Sequence, residues 1–325
     1  ADDGGDDGGE PYVSALLEAR GLRMAYGNGV RAVDDVDIDI EPGETFGLVG
    51  ESGCGKSTTA KVILRLEAGQ AETMRFEDAD LMAAKGAELR RLRARLQVVP
   101  QHPATSLNPR LRVSESIVFN LRAHGWSRAD RAPRVAELLD RVGLAAQQGR
   151  AYPHELSGGQ LQRAAIARAL ATDPRLVICD EAVSALDKSV QAQVLNLLVQ
   201  LQRDLGIAYL FISHDLSVVE HVSDRVAVMY LGRVVEEGPA EELWARPLHP
   251  YTQALLSAEP GQGRERIVLQ GDPPSPSDPP SGCTFRTRCA YATEVCAGDR
   301  PPLIEITPGH RVACTLHPHP EALLA

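Results

Sequence analysis

The residues with the clearest chemistry run Gly50-Glu51-Ser52-Gly53-Cys54-Gly55-Lys56-Ser57. Their spacing is GxxxxGK[ST], a loop that cradles phosphates. Glycines let the backbone curl until its N–H groups point at a β-phosphate. A helix opening at the end of the loop adds a favourable dipole. Lys56 is placed to reach the β- and γ-phosphates, and the Ser57 hydroxyl to ligate Mg2+. The set expected to line a bound nucleoside triphosphate is Ser52, Gly53, Cys54, Gly55, Lys56, Ser57 and Thr58. Cys54 stands at a variable position of the motif. An acidic pair, Asp180-Glu181, closes the apolar run Leu176-Val177-Ile178-Cys179. Asp180 suits Mg2+ held through water, and Glu181 suits orienting and polarising an attacking water.

These groups need rigid elements to position them. From Leu16 the pattern is strand-rich: Val33, Val36, Ile38 and Ile40 alternate, and Thr45 to Val49 reads as a buried strand. Ser57 to Leu66 predicts the helix behind the phosphate loop. A short strand follows at Leu96 to Val99. Helices are expected over Val113 to His124, Arg128 to Val142 and Gln160 to Ala171, so residues from about 105 to 171 form a helical insertion. The uninterrupted apolar run before Asp180 suits a parallel sheet covered on both faces. Helix 189–204, strand 208–213, helix 216–223 and strand 225–230 continue an α/β alternation. Residues 1–14 form an acidic segment expected to be disordered, since 1–10 are almost only Gly and Asp. The opening Ala1 is expected from removal of an initiator Met or from a cut out of a longer tandem chain, the first being favoured slightly.

Leu156-Ser157-Gly158-Gly159-Gln160 lies between the phosphate loop and the acidic pair. Ser157 and the Gly158 and Gly159 amides at a helix N-terminus make a second anion cradle. The first loop already holds its own phosphates, so this one suits the γ-phosphate of another subunit. LSGGQ in this order resembles the signature of the ATP-binding cassette (ABC) ATPases. Other positions fit that resemblance. Gln101 after Val98-Val99-Pro100 resembles the Q-loop glutamine, which touches Mg2+ and the water and couples to a membrane partner. His214 after Leu210-Phe211-Ile212-Ser213 resembles the switch histidine on the γ-phosphate. Ser184-Ala185-Leu186-Asp187 resembles the D-loop at the dimer interface. Tyr26 resembles the aromatic that stacks on adenine, with packing as the alternative. Ala182 departs from the family, which usually has proline after the catalytic Glu. The resemblance implies a P-loop NTPase ABC core, a RecA-like parallel sheet plus an antiparallel β subdomain, over residues 15–259. It also implies ATP and Mg2+ as ligands, with Glu181 and His214 as catalytic groups.

Composition agrees. The chain has 325 residues, 43% hydrophobic and 24% charged, enough for one large domain and a smaller unit. No run approaches the roughly 18 apolar residues of a membrane-spanning helix, and no secretory signal is visible. The formal net charge of −10 disfavours nucleic acid as a main ligand. Arg90, Arg91, Arg93 and Arg95 make one basic cluster, read as a solvated helix face.

The end of the chain narrows the family. A Pro-rich connector opens the segment 260–325. His249-Pro250-Tyr251-Thr252-Gln253-Ala254-Leu255-Leu256, Gly271-Asp272-Pro273-Pro274-Ser275-Pro276 and Pro279-Pro280-Ser281-Gly282-Cys283 resemble the C-terminal signature of oligopeptide/dipeptide permease ATP-binding subunits. Arg288-Cys289, Cys296 and Cys314 fit it too. The resemblance implies an importer subunit driving di- or oligopeptide uptake at the cytoplasmic face of a bacterial membrane. Its partners would be a second, non-identical ATPase, two transmembrane permease subunits and an extracytoplasmic substrate-binding protein. Nickel or glutathione import shares this architecture, and a soluble non-transport ABC ATPase is a further alternative. Cys283, Cys289, Cys296 and Cys314 are spaced C-x5-C-x6-C-x17-C, without the short pairs that zinc sites favour. A [4Fe–4S] cluster is the expectation, zinc the alternative and disulfides or free thiols the remainder. His310, His317 and His319 lie close in sequence as further ligands. Such a short Pro-rich tail is expected to bury little core and to need metal for stability.

Overall fold

A computed structural model describes residues 15–27, 29–259 and 264–317. The acidic segment 1–14 and His319 lie outside these residues. In chain order the strands are β1 (Leu17–Ala25), β2 (Arg31–Ile40), β3 (Thr45–Val49), β4 (Thr73–Phe76), β5 (Ala79–Asp80), β6 (Leu96–Val99), β7 (Leu176–Asp180), β8 (Ala208–Ser213), β9 (Arg225–Tyr230), β10 (Arg233–Pro239), β11 (Ile304–Thr307) and β12 (His310–Val312). They form two sheets. One is four-stranded and antiparallel, ordered β2-β1-β4-β5; the other has eight strands, ordered β11-β12-β10-β9-β3-β8-β7-β6. The five strands β9-β3-β8-β7-β6 are mutually parallel, and β10, β12 and β11 continue the sheet antiparallel.

The central strands read as continuous apolar runs because both faces are covered. Their side chains alternate between two cores. Leu176, Ile178, Leu210 and Ile212 point into one core with the antiparallel sheet and the helix Lys56–Ile63. Val177, Cys179, Tyr209 and Phe211 point into the other, with the helical insertion. That insertion holds the helices Pro103–Ser106, Val113–Ala123, Arg128–Arg141, Ala146–Arg150 and Gly158–Ala169.

Most expected elements are present, with shifted ends. The helix after the phosphate loop stops at Ile63 rather than Leu66, because Arg65 turns left-handed and its N–H bonds back to the Val62 carbonyl. The signature helix begins at Gly158, two residues before the expected start. The arginine cluster is more structural than expected. Arg93 bonds the carbonyls of Leu64 and Arg65, and Arg95 pairs with Glu77.

The tail differs most from expectation. It builds no core of its own, yet it is well anchored. β12 pairs with β10 at Glu236↔Val312 and Glu237↔Arg311, so the tail extends the main sheet. Phe285 is fully buried in the main core against Tyr230 and Tyr251. Buried Glu236 accepts from the Leu248 and His249 amides at 2.7 and 2.8 Å and lies 2.8 Å from His310 Nε2. Strand pairing, an aromatic plug and a satisfied buried carboxylate anchor the tail to the main sheet.

Candidate functional site

The phosphate loop leaves β3 and enters the helix Lys56–Ile63. Its glycines are obligatory for two reasons. Gly50 and Gly55 have φ of 148° and 112°, and a Cβ at either would sit 2.1 Å from the Met229 carbonyl oxygen or 2.0 Å from that of Ala32. Backbone crowds the loop from below, so only glycine allows the curl. Lys56 is buried and donates to the carbonyls of Gly50 and Glu51 at 2.8 and 3.0 Å. Burial raises the Cys54 thiol above its ordinary value, as suits an inert position. Tyr26 is 39% exposed, with its hydroxyl 3.2 Å from that of Thr58, which places the ring beside the start of this helix.

Three strand ends bring the acidic groups to the loop. Asp180 ends β7 and accepts from the Ser57 hydroxyl at 2.8 Å. Burial raises its carboxyl above the usual range, and neighbouring Glu181 adds to this against the Ser57 hydrogen bond. Glu181 follows with φ 48°, a left-handed conformation uncommon for a side chain of this size. Its amide is tied to the Ile212 carbonyl on neighbouring β8 at 2.9 Å. Its own carbonyl accepts from the Ser184 amide and hydroxyl at 3.1 and 3.0 Å. The outcome is a carboxylate gripped from two sides. Gln101, beyond β6, donates to Glu181 Oε2 at 2.7 Å, and His214, beyond β8, places Nδ1 3.1 Å from the same oxygen. Gln101, Asp180, Glu181 and His214, expected from separate motifs, thus converge beside Ser57.

The signature stands apart from this cluster. Ser157 caps the helix Gly158–Ala169, its hydroxyl accepting from the Gln160 amide at 3.4 Å. Gln160 Oε1 accepts in return from the Ser157 amide at 3.0 Å. Gly159 has a packing reason as well as an anion-binding one. A Cβ there would meet Val190 Cγ1 at 2.5 Å, on the helix Lys188–Leu205. Asp187 caps that helix, accepting from the Val190 amide at 3.0 Å.

Sequence reasoning missed how the loop is fastened. The Tyr251 hydroxyl accepts from the Glu51 amide at 2.9 Å, across 200 positions of sequence. Lys188 also reaches Asp215, beside His214, at 2.7 Å. No local pattern signals either contact.

The expected metal centre finds no ligand set. Among the described residues no group of three His, Cys, Asp or Glu side chains is gathered to hold a metal ion. The four tail cysteines are free thiols. Cys283 and Cys289 pack against the main core. The Cys296 Sγ lies 3.3 Å from the Thr315 hydroxyl and 3.7 Å from that of Thr293. The loops are held together by the Cys283 amide donating to the Cys296 carbonyl at 2.9 Å. Burial raises the Cys314 thiol to about 11, and the neighbouring Cys283, Cys289 and Cys296 add to the rise.

Comparison with known proteins accords with this site. The family described as ABC transporter matches residues 33–184. The family described as oligopeptide/dipeptide transporter, C-terminal region, matches 235–296. The putative oligopeptide transport ATP-binding protein YkfD of Bacillus subtilis is 48% identical over 318 residues, covering 94% of this chain and 97% of that protein. Among solved structures, cbiO1 of Clostridium perfringens, part of an ABC transporter complex, aligns with a TM-score of 0.65 at 28% identity. The alignment covers 71% of this chain and 91% of that one. The dimeric ATP-binding cassette MJ0796, in a post-hydrolysis state with ADP and Pi, gives 0.63 at 27% identity over 69% and 99% of the two chains. A phosphate loop, a doubly held carboxylate and near-complete coverage of a relative agree: the chain is an ABC ATPase and belongs to the ATP-binding subunits of the oligopeptide/dipeptide transporter family.

Proposed function

We propose that this chain is the ATP-hydrolysing subunit that powers di- and oligopeptide import from the cytoplasmic face of a bacterial membrane. The match of residues 235–296 to the oligopeptide/dipeptide transporter C-terminal region carries the substrate class, supported by the oligopeptide transport name of its 48% identical relative. No helix among the described residues is long and apolar enough to cross a membrane; separate permease subunits would form the pore. Exposed Phe119, on a groove with Gln97, Asn108, Leu111 and Asn120, offers them an apolar contact next to β6 and the Gln101 loop. A second ATPase subunit and an extracytoplasmic substrate-binding protein complete the assembly. Within the chain, 15–259 would be the nucleotide-binding unit and 260–325 its extension.

The chemistry follows from the side chains. Gly53, Cys54, Gly55 and Ser52 would cradle the phosphates, with Lys56 released from the Gly50 and Glu51 carbonyls to meet them. Thr58 and Tyr26 would flank the nucleotide, Tyr26 on the adenine. Ser57, Asp180 and Gln101 supply the hard oxygen donors that suit Mg2+. When bound, Mg2+ would neutralise phosphate charge. Glu181 orients water for attack on the γ-phosphorus and accepts its proton; the P–O bond to ADP breaks and phosphate leaves. Gln101 and His214 hold Glu181 at the start, and His214 would turn to the γ-phosphate as it arrives. Ser157, Gly158, Gly159 and Gln160 would grip the ATP of the second subunit, with Ser184 and Asp187 near the joint.

Uptake of a labelled dipeptide by cells carrying this chain with its permease partners tests the reading. Uptake that depends on Lys56 and is competed by peptides is expected. Competition by nickel or glutathione alone would assign the alternative cargo.

A further inference from the structure

Glu51, inside the phosphate loop, is bonded at three points. Its amide donates to Tyr251, its carbonyl accepts from Lys56, and its carboxylate receives Arg288 Nη1 at 3.2 and 3.0 Å. The first two belong to the nucleotide-binding core; Arg288 comes from the tail, 237 positions away. The Arg288 side chain is only 8% exposed, against 33% for Glu51. Arg288 is also well anchored. Its amide bonds the Phe285 carbonyl at 3.0 Å, and the Phe285 ring sits 5.3 Å and 5.4 Å from those of Tyr230 and Tyr251.

A carboxylate is a costly choice in a loop that must receive a triphosphate. Like charges repel over several ångströms where water is partly excluded. Arg288 supplies the compensating charge. An exposed ion pair would contribute little, but here removing one partner leaves the other beside the incoming phosphates.

We propose that Arg288 is a positioning residue for nucleotide binding: it cancels the Glu51 carboxylate and so makes the C-terminal extension part of the phosphate site. The inference rests on the reading of residues 50–57 as the ATP site. The tail then does more than decorate the cassette. Any displacement of the segment around Arg288 uncovers a negative charge within the loop and lowers ATP affinity, with no change in the catalytic carboxylates.

MgATP affinity of the full chain, measured by calorimetry at two salt concentrations, tests this with Arg288→Ala, Arg288→Lys, Glu51→Gln and the Glu51→Gln/Arg288→Ala pair. Arg288→Ala should weaken binding about tenfold, less at high salt. Adding Glu51→Gln should restore affinity to within roughly twofold of the original, and Glu51→Gln alone should not weaken it. Equal losses in Arg288→Ala and the double variant, or weakening by Glu51→Gln alone, would make the contact a structural clip and overturn the proposal. Should Arg288→Ala fail to fold, Arg288→Lys and Glu51→Gln decide it: the charge-keeping Lys must retain most affinity, and its loss of binding overturns the proposal. A native chain that binds no MgATP would overturn the ATP-site reading instead.

Discussion

The helix N-termini of the phosphate loop and of the signature both carry glycines, and they use them differently. In the phosphate loop, Gly50 and Gly55 adopt backbone conformations closed to other residues, and any Cβ would strike a backbone oxygen at about 2 Å. The loop is fixed from below by Tyr251 and internally by Lys56. In the signature, the turn into the helix is ordinary and self-capped by Ser157 and Gln160. Only Gly159 is crowded, by the side chain of Val190 rather than by backbone. Ser157 and Gly158 are exposed, whereas Cys54, Gly55 and Lys56 are buried. One cradle is a tightly held loop whose lysine is drawn inward. The other is an outward-facing surface, which the proposed function gives to the ATP of a second subunit.

The largest expected effect falls beside the first cradle. Glu181→Gln should lower steady-state ATP hydrolysis roughly a hundredfold or more while MgATP binding persists; retained turnover would remove Glu181 from its role. Next in size is a matched glycine pair. Gly55→Ala should cost about 3 kcal/mol or prevent folding, because the backbone cannot yield. Gly158→Ala, with its Cβ 3.5 Å from Leu186 Cδ2, should change stability by less than about 0.5 kcal/mol. Denaturant melts that show similar costs would erase the distinction between the two cradles.

Ser157→Arg should leave MgATP binding by the single subunit intact and block ATP-dependent pairing. Size-exclusion chromatography of the hydrolysis-deficient protein reads this directly, and undiminished pairing would deny the signature its outside ligand. The smallest effect concerns Asp180. Its carboxyl titrates above the ordinary range in the fold, so between those two values the native state holds more protons than the unfolded one. Stability therefore falls as pH rises through that window. Asp180→Asn should leave the Tm in metal-free buffer at neutral pH unchanged or higher, and lose the stabilisation that MgATP confers. A lower metal-free Tm would mean that Asp180 holds the loop through its charge.

The catalytic side was legible because its reasons are local. The apolar run into Asp180 and the cap at Ser157 explain themselves within a few neighbours, and the loop glycines show by their spacing alone, although the Met229 carbonyl that crowds Gly50 lies far along the chain. What stayed hidden was long-range. β11 and β12 are too short for a period to show, and the Pro-rich stretch before them reads as a linker. Nothing near Glu236 announces His310 as its buried partner. The cysteine spacing invited a metal, while Phe285 in the aromatic cluster was the anchor. Tyr251 was noticed only as part of a family segment, since its target amide lies 200 positions upstream.

The ribosome gives the β10–β12 pairing one more consequence. β10 is synthesised well before β12, so the nascent cassette carries an uncovered strand edge while the tail is still being made. Such an edge is a template for association with neighbouring chains. β10 offers Glu236 and Glu237 along it, carboxylates that discourage that pairing; Arg225 on β9 already holds Glu237, and Arg311 and His310 join the two only when β12 arrives. The late strand thus sets an order for biogenesis: the sheet closes only once β12 has been made.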